Sequence, residues 1–556
     1  MIRPQGARLQ PYCANPGLAP PTGSHHFLAY NLGRAAGAQF RDSLSKSIAE
    51  PEWKQRSKME TAKRLRGSEP RSAKDGAKKA ELGEYGVLIG GIWLKTGDAI
   101  EVHSPFNDAL VAVVHRAGPK EIEQAIATAV EAFQVTRKLP AWKRAEVLMK
   151  VSQGIAARRE ELARTIALEA GKPIRTARLE VDRAAFTFQV ASEESKRIYG
   201  EVIPLDWLPG TEGRVGQVMH VPLGPIVGIA PFNFPLNLVA HKVAPAMAAG
   251  NPIILRPASA TPVSALKLGE IILESGWPEG GYAVVPSATK HAAPLIEDPR
   301  IKLLTFTGSP AVGWALKARA GRKRVTLELG GNAGVIVHED ADLKYAAERV
   351  AWGGFSFAGQ SCISVQRVYI AQPVYEEFAD DLVPRVKALV LGDPLDEKTD
   401  VGPLIDAGAA ERLESWVQEA RAGGAEILVG GGRKGTLFAP TLLASLQESM
   451  SISCQEAFGP VVGLYPYTDV YQAIRSVDSS EFGLQAGIFT QDLNTVQKAF
   501  DEIQVGGLMV NDVSTFRIDH MPYGGVKQSG MGREGLRYAI EEMSEMKLLT
   551  FNRRTT

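Results

Sequence analysis

Six short segments carry side chains whose type and setting could do chemistry. Cys362 stands in GQSCISVQR (359–367), a loop of small residues ahead of an apolar run. A thiolate there would be a nucleophile, though a lone cysteine is more often inert packing. Glu328 lies in TLELGGN (326–332), just before Gly330 and Gly331. A carboxylate in a glycine-lined crevice can act as a general base, or simply pair with a surface cation. GIAPFNFPLN (228–237) follows a strand-like run and precedes a helical one. Its Asn233 amide could donate to a developing oxyanion or cap the helix behind it. TFTGSPAVGWALK (305–317) runs a strand into Gly308 and Ser309 with a helix close behind, the setting in which backbone N–H groups bind phosphate. No G-x-G-x-x-G fingerprint is present, so a variant dinucleotide site and an ordinary turn both fit. NPIILRPASATP (251–262) ends a strand on Arg256, which could meet a ribose, a phosphate or only solvent. EAFGPVV (456–462) adds Glu456 beside an aromatic residue and a Gly-Pro turn.

These groups need elements to hold them. GVLIGGIWLK and DALVAVVHRAG have the alternation and turn residues of short strands, while GPKEIEQAIATAVEAFQV, the stretch 145–171 and EVDRAAFTFQVASEESKRIYG carry helical spacing. Residues 200–221 are turn-rich with short extended pieces, a hairpin-like arm. Beyond them apolar strands alternate with helices, first through IVGIAPFN, LVAHKVAPAMAAG, NPIILRPA and KLLTFT, then again from VTLELGGNAGVIV to GLQAGIFT. Strand–helix–strand alternation predicts parallel sheets with crossover helices, hence two α/β domains with candidate groups at strand ends, where ligands bind in such sheets.

Composition narrows the class. The 556 residues hold 63 Lys+Arg against 62 Asp+Glu, with 45% hydrophobic and 22% charged residues, the balance of a globular protein. No run approaches the roughly 18 apolar residues of a membrane helix. Three cysteines cannot build a disulfide framework or a four-thiolate zinc site, and nine scattered histidines suggest no metal centre. Near-neutral charge argues against nucleic acid as the partner. The neutrality is a cancellation: residues 1–80 carry 15 basic and six acidic residues, leaving a net −8 on the remainder. Residues 1–82 show no sustained period and are expected to be a disordered basic leader, a reading that a true start at Met59 would also explain. A transit peptide, which would direct the protein to an organelle rather than the cytoplasm, also fits the acid-free first 41 residues.

In order along the chain, PFNFP, TFTGS, ELGG, GQSC and EAFGP resemble the aldehyde dehydrogenase superfamily, and MPYGGVKQSGMGREG (521–535) resembles its C-terminal signature. The resemblance covers about 85–556. It implies an aldehyde dehydrogenase-like α/β fold of two parallel-sheet domains, one a variant Rossmann cofactor domain, with a small β oligomerisation arm. On this chain the NAD(P)-binding domain would be 83–327 with its arm at about 200–221, and the catalytic domain 328–510. Residues 511–556 would return to the cofactor domain and supply the oligomerisation strand of a homodimer or homotetramer.

The resemblance also implies roles. Cys362 would attack an aldehyde, giving a thiohemiacetal and then a thioester; Asn233 would hold the oxyanion and Glu328 would activate the hydrolytic water. Ile229, Pro231, Phe232, Arg256, Ser259, Gly308, Ser309, Val312, Leu329, Glu456 and Phe458 would contact NAD or NADP. Arg256 replaces the family's usual lysine, and Ser259 stands where many NAD-selective members carry a glutamate, so NADP is expected to be accepted. NDVSTFRIDHMPYGG (511–525) resembles the lactaldehyde dehydrogenase-like branch. There Arg517, with His520, would meet a hydroxylated or anionic substrate end, unless Arg517 pairs with Asp519 or another carboxylate. The competing readings are a Cys-dependent hydrolase or acyl transferase, and a coenzyme-A-acylating semialdehyde dehydrogenase. Relatives of the second kind generally lack the base that Glu328 provides.

Overall fold

Strands with no polar face must be covered on both sides, and this chain has many. Ile226–Ile229, Leu303–Thr307, Ala333–Val337 and Val365–Ala371 are buried at every position, as expected for parallel strands between helical layers. The computed structural model describes residues 80–553; the leader expected over 1–82 lies outside the described residues except for its last three. Two large sheets organise the described part. The first has eight strands, with Arg324–Glu328, Leu303–Thr307, Ile226–Ile229, Ile253–Arg256 and Tyr282–Val284 as its parallel centre. The second has seven strands, parallel except for the edge strand Glu426–Val429. The α/β fold class is therefore as expected.

The helix Asn237–Ala249 is buried along its whole length, as its apolar sequence requires. The helical period over 145–171 is carried by two helices, Ala141–Ala157 and Arg159–Ala170, which break at Arg158 (φ −104°, ψ 24°). The turn-rich 200–221 segment supplies strands Glu201–Pro204 and Arg214–Pro222, and the last strand, Ser544–Asn552, pairs antiparallel along the second of these.

Two crossings position the site. The boundary drawn between 327 and 328 falls inside the strand Arg324–Glu328, so Glu328 is the last residue of a strand of the first sheet. The chain then passes to the second sheet, whose strand begins at Ala333. The strand Gly530–Met531 returns to the edge of the first sheet and sets Gly530 opposite Glu328. Among the described residues, no helix is long and apolar enough to cross a membrane.

Candidate active site

Cys362 is delivered by a strained loop. The helix Leu343–Phe355 ends, and Phe357 (φ 51°), Ala358 (φ 52°) and Gly359 (φ 66°) follow in the left-handed region. Only glycine enters that region freely, so two non-glycine residues there cost roughly 1–3 kcal/mol each and must be held by their surroundings. The buried Phe357 ring supplies one hold, since the Lys172 ammonium lies 4.3 Å from its centroid and 3.7 Å from that of Phe234. Lys172 also donates to the Asn233 carbonyl (2.7 Å) and pairs with the buried Glu180. Glu180 in turn accepts from the Leu236 and Asn237 N–H groups at the start of the next helix. Burial pulls Lys172 down to about 8 even against Glu180. Gln360 makes the second tie: its carbonyl accepts from Asn233 Nδ2 (3.0 Å), and its side chain bonds Ile405 N–H and the Pro403 carbonyl. One charged pair and one amide thus fix the Asn233 loop against the Cys362 loop.

These loops close one cavity of about 250 Å³. Of the residues singled out from the sequence, Pro231, Phe232, Asn233, Gly308, Ser309, Glu328, Leu329, Cys362, Glu456 and Phe458 line it. Ile229 is buried at the end of its strand behind them. Arg256 does not line the cavity. It ends the neighbouring strand and bonds the Ser287 hydroxyl (3.2 Å) and carbonyl (3.0 Å). Ser259 is exposed on the turn beyond, and Val312, 48% exposed, lies in the first turn of helix Pro310–Arg319. Arg517 and His520 also depart from the expected cavity lining. The Arg517 side chain is buried, bonded to Glu534 (2.9 Å) rather than Asp519, and its guanidinium lies 3.6 Å from the Tyr523 ring centroid. His520 is exposed and packs edge-on to Phe186. Asp519 is instead held by Arg183 and His241.

The electrostatics follow burial. Both Glu328 carboxylate oxygens are buried and, among the described residues, have no hydrogen-bond partner. Burial, reinforced by nearby Glu534, pushes Glu328 well above the usual carboxylate range, against the pull of Arg517 and Lys242. Burial also pushes the Cys362 thiol up to about 12, opposed by a 3.1 Å contact with the Tyr523 hydroxyl. Glu456 accepts from Gly331 N–H (2.9 Å), and burial raises it to about 7.

The wall suits a dinucleotide. Ser309 is the N-cap of Pro310–Arg319 without a side-chain cap bond, so its hydroxyl and the first N–H groups of that helix are available to an anion. Phe232 and Phe458, with ring centroids 5.8 Å apart, give flat apolar surface beside it. Gly330, read from the sequence as part of a glycine-lined crevice, also lines it, and sequence reasoning missed Leu238 and Thr307, which complete the lining. It also missed the buried Lys242, which bonds Thr307 (2.6 Å) and faces Glu534 (3.3 Å). A lysine within the apolar run LVAHKVAPAMAA was the available signal.

Comparison with known proteins identifies the family. Residues 93–549 match the aldehyde dehydrogenase family. The chain is 44% identical over 473 residues to a 3-sulfolactaldehyde dehydrogenase of Priestia aryabhattai, covering 85% of this chain and 99% of that one. It is 38% identical over 471 residues to a lactaldehyde dehydrogenase of Methanococcus aeolicus, covering 84% and 100%. Aldehyde dehydrogenase 21 of Physcomitrella patens, solved with the reaction product succinate, aligns with TM-score 0.84 at 44% identity, covering 86% of this chain and 99% of that one. Glyceraldehyde-3-phosphate dehydrogenase GapN of Methanocaldococcus jannaschii, solved with NADP, aligns with TM-score 0.79 at 38% identity, covering 82% and 99%. With a family match over residues 93–549 and structural neighbours that cover most of the chain, the chain belongs to the aldehyde dehydrogenase family, whose members are oxidoreductases.

Proposed function

We propose that the protein oxidises a small hydroxylated or anionic aldehyde to its carboxylic acid, using NAD or NADP, through a covalent thioester on Cys362. The observation that carries this reading is the convergence of a thiol, a carboxylate and an amide on one cavity beside a helix N-terminus. When bound, the nicotinamide supplies the hydride acceptor. Ser309 and the first turn of its helix would hold the pyrophosphate, with Glu456 and Phe458 beside the nicotinamide end. Arg256 would approach the adenosine ribose.

Cys362 Sγ adds to the aldehyde carbon, and the carbonyl oxygen takes the negative charge. Asn233 Nδ2 keeps one N–H beyond its bond to Gln360, and among the described residues no carbonyl accepts from the Cys362 backbone N–H, so both can meet that oxygen. One such donor is typically worth about 3–4 kcal/mol. After oxidation the acyl group stays on sulfur. Glu328 then takes a proton from water, hydroxide attacks the thioester carbon, and Cys362 leaves as thiolate.

Relatives named for sulfolactaldehyde and lactaldehyde support the substrate class, and a neighbour solved with NADP supports its acceptance. The test follows reduced nicotinamide by near-ultraviolet absorbance, comparing lactaldehyde, sulfolactaldehyde and succinic semialdehyde with propanal. Cys362→Ala should abolish turnover, and Arg256→Ala should raise KM more for NADP than for NAD. No reduction of either cofactor by any aldehyde would refute the reading, and equal kcat/KM for propanal would refute the substrate class. In the same reading the three-stranded arm carries assembly into a homodimer or homotetramer. It leaves Val202, Trp207, Met546 and Leu548 exposed, and Leu548→Glu should lower the mass seen by light scattering.

A further inference from the structure

Tyr523 belongs to none of the roles above, yet its hydroxyl makes the closest polar contact to the nucleophile. The ring is 3% exposed, and its oxygen lies 3.1 Å from Cys362 Sγ. Among the described residues that sulfur is the hydroxyl's one hydrogen-bond partner. Phenylalanine would fill the same volume, so what the oxygen adds is a bond to sulfur. A buried tyrosine hydroxyl without a partner is costly, which is why such groups are normally aimed at something. The ring is also fixed from behind. Arg517 lies with its guanidinium carbon 3.6 Å from the ring centroid and is itself held by Glu534 at 2.9 Å.

We propose that Tyr523 donates a hydrogen bond to the Cys362 thiolate and so makes that anion accessible within a buried site, while Arg517 positions the Tyr523 ring. The inference rests on Cys362 being the nucleophile. With a neutral thiol either atom can donate; with a thiolate only the phenol can. The contact is therefore stronger for the reactive form, and a bond to the charged form favours ionisation. Tyr523 keeps its proton throughout, since burial and the neighbouring sulfur raise the phenol well above its ordinary value. The other charged groups facing Cys362 are Glu328, Glu456 and Arg517. The two carboxylates oppose the thiolate and Arg517 favours it, which leaves Tyr523, among the described residues, as its one neutral donor side chain in contact.

The experiment uses the full chain carrying Cys13→Ser and Cys454→Ser, so that alkylation by iodoacetamide reports Cys362 alone, verified by peptide mass mapping. In Tyr523→Phe the apparent pKa of alkylation should rise by about one unit and the rate near neutral pH should fall about tenfold. Difluorotyrosine at position 523, a stronger donor of nearly the same size, should move both in the opposite direction. A ring that merely fills space would respond to neither change. Profiles for both variants superimposing on the wild type would overturn the proposal. If Tyr523→Phe fails to fold, the fluorinated protein decides alone. Alkylation needs neither aldehyde nor nicotinamide, so an absence of aldehyde oxidation would sink the proposed function without touching this result.

Discussion

Glu328 presents two buried, unpartnered oxygens to a cavity that also holds the reactive sulfur. In that setting burial and Glu534 disfavour the charge and shift ionisation above the usual carboxylate range. A base must first lose its proton, so kcat should climb with pH as Glu328 ionises. Glu328→Gln should remove that dependence and slow turnover by about 10²-fold or more, the usual contribution of a positioned base. Oxidation should still load the acyl group, so the variant should accumulate a thioester visible by intact mass. An unchanged pH profile would remove Glu328 from the hydrolytic step. Arg517 shows the limit of reading single residues: its position in the chain suggested a substrate contact, but its charge is balanced by Glu534 inside the protein.

At the scale of elements, the Gly330–Gly331 connection and the Lys172–Glu180 pair set the site. A Cβ on Gly331 would come within 2.1 Å of the Cys362 carbonyl, a backbone atom that cannot yield without moving the nucleophile. Gly331→Ala should therefore lower kcat/KM by about 10²-fold, the effect of roughly 1 Å of misplacement, and the mapped alkylation rate of Cys362 should change with it. Lys172→Met would leave Glu180 buried and unpaired and would release Asn233 and both aromatic rings. Breaking a buried pair from one side costs about 3–5 kcal/mol. The variant should unfold at lower urea and lower temperature, and Lys172→Met with Glu180→Gln should recover part of the loss.

Across the whole molecule, Asp519 ties three parts of the chain. Its carboxylate bonds Arg183 on the helix Ile174–Glu194, Asn237 and His241 on the helix Asn237–Ala249, and carries the segment leading to Tyr523. Burial works against the charge, but His241 and Arg183 outweigh it and hold Asp519 well below the usual carboxylate range. A lowered value in the folded state means stability that is present above the unfolded Asp value near 3.9 and lost only in stronger acid. Asp519→Ala should therefore reduce the thermal midpoint by several degrees at neutral pH, and the difference from wild type should shrink on acidification below about pH 4. A difference that grows in acid would contradict the pairing.

Much of the chain was legible without coordinates. Parallel α/β architecture follows from apolar strands alternating with helical periods, since only two-sided burial makes such runs stable. Cys362, Glu328, Asn233 and Glu456 stood out because a reactive group next to glycine or proline at a strand end is a local pattern. What could not be read locally depends on distance through space. Lys172 reaches Asn233 across 61 residues and Tyr523 reaches Cys362 across 161. Arg517 meets Glu534 where Asp519 was the nearer carboxylate in sequence. Residue type and spacing determined which chemistry the chain could hold, because those are properties of neighbours along the backbone. Only the tertiary structure decided which charges are balanced, which oxygens lack partners and what touches the sulfur, because burial and partnership arise when distant segments pack together.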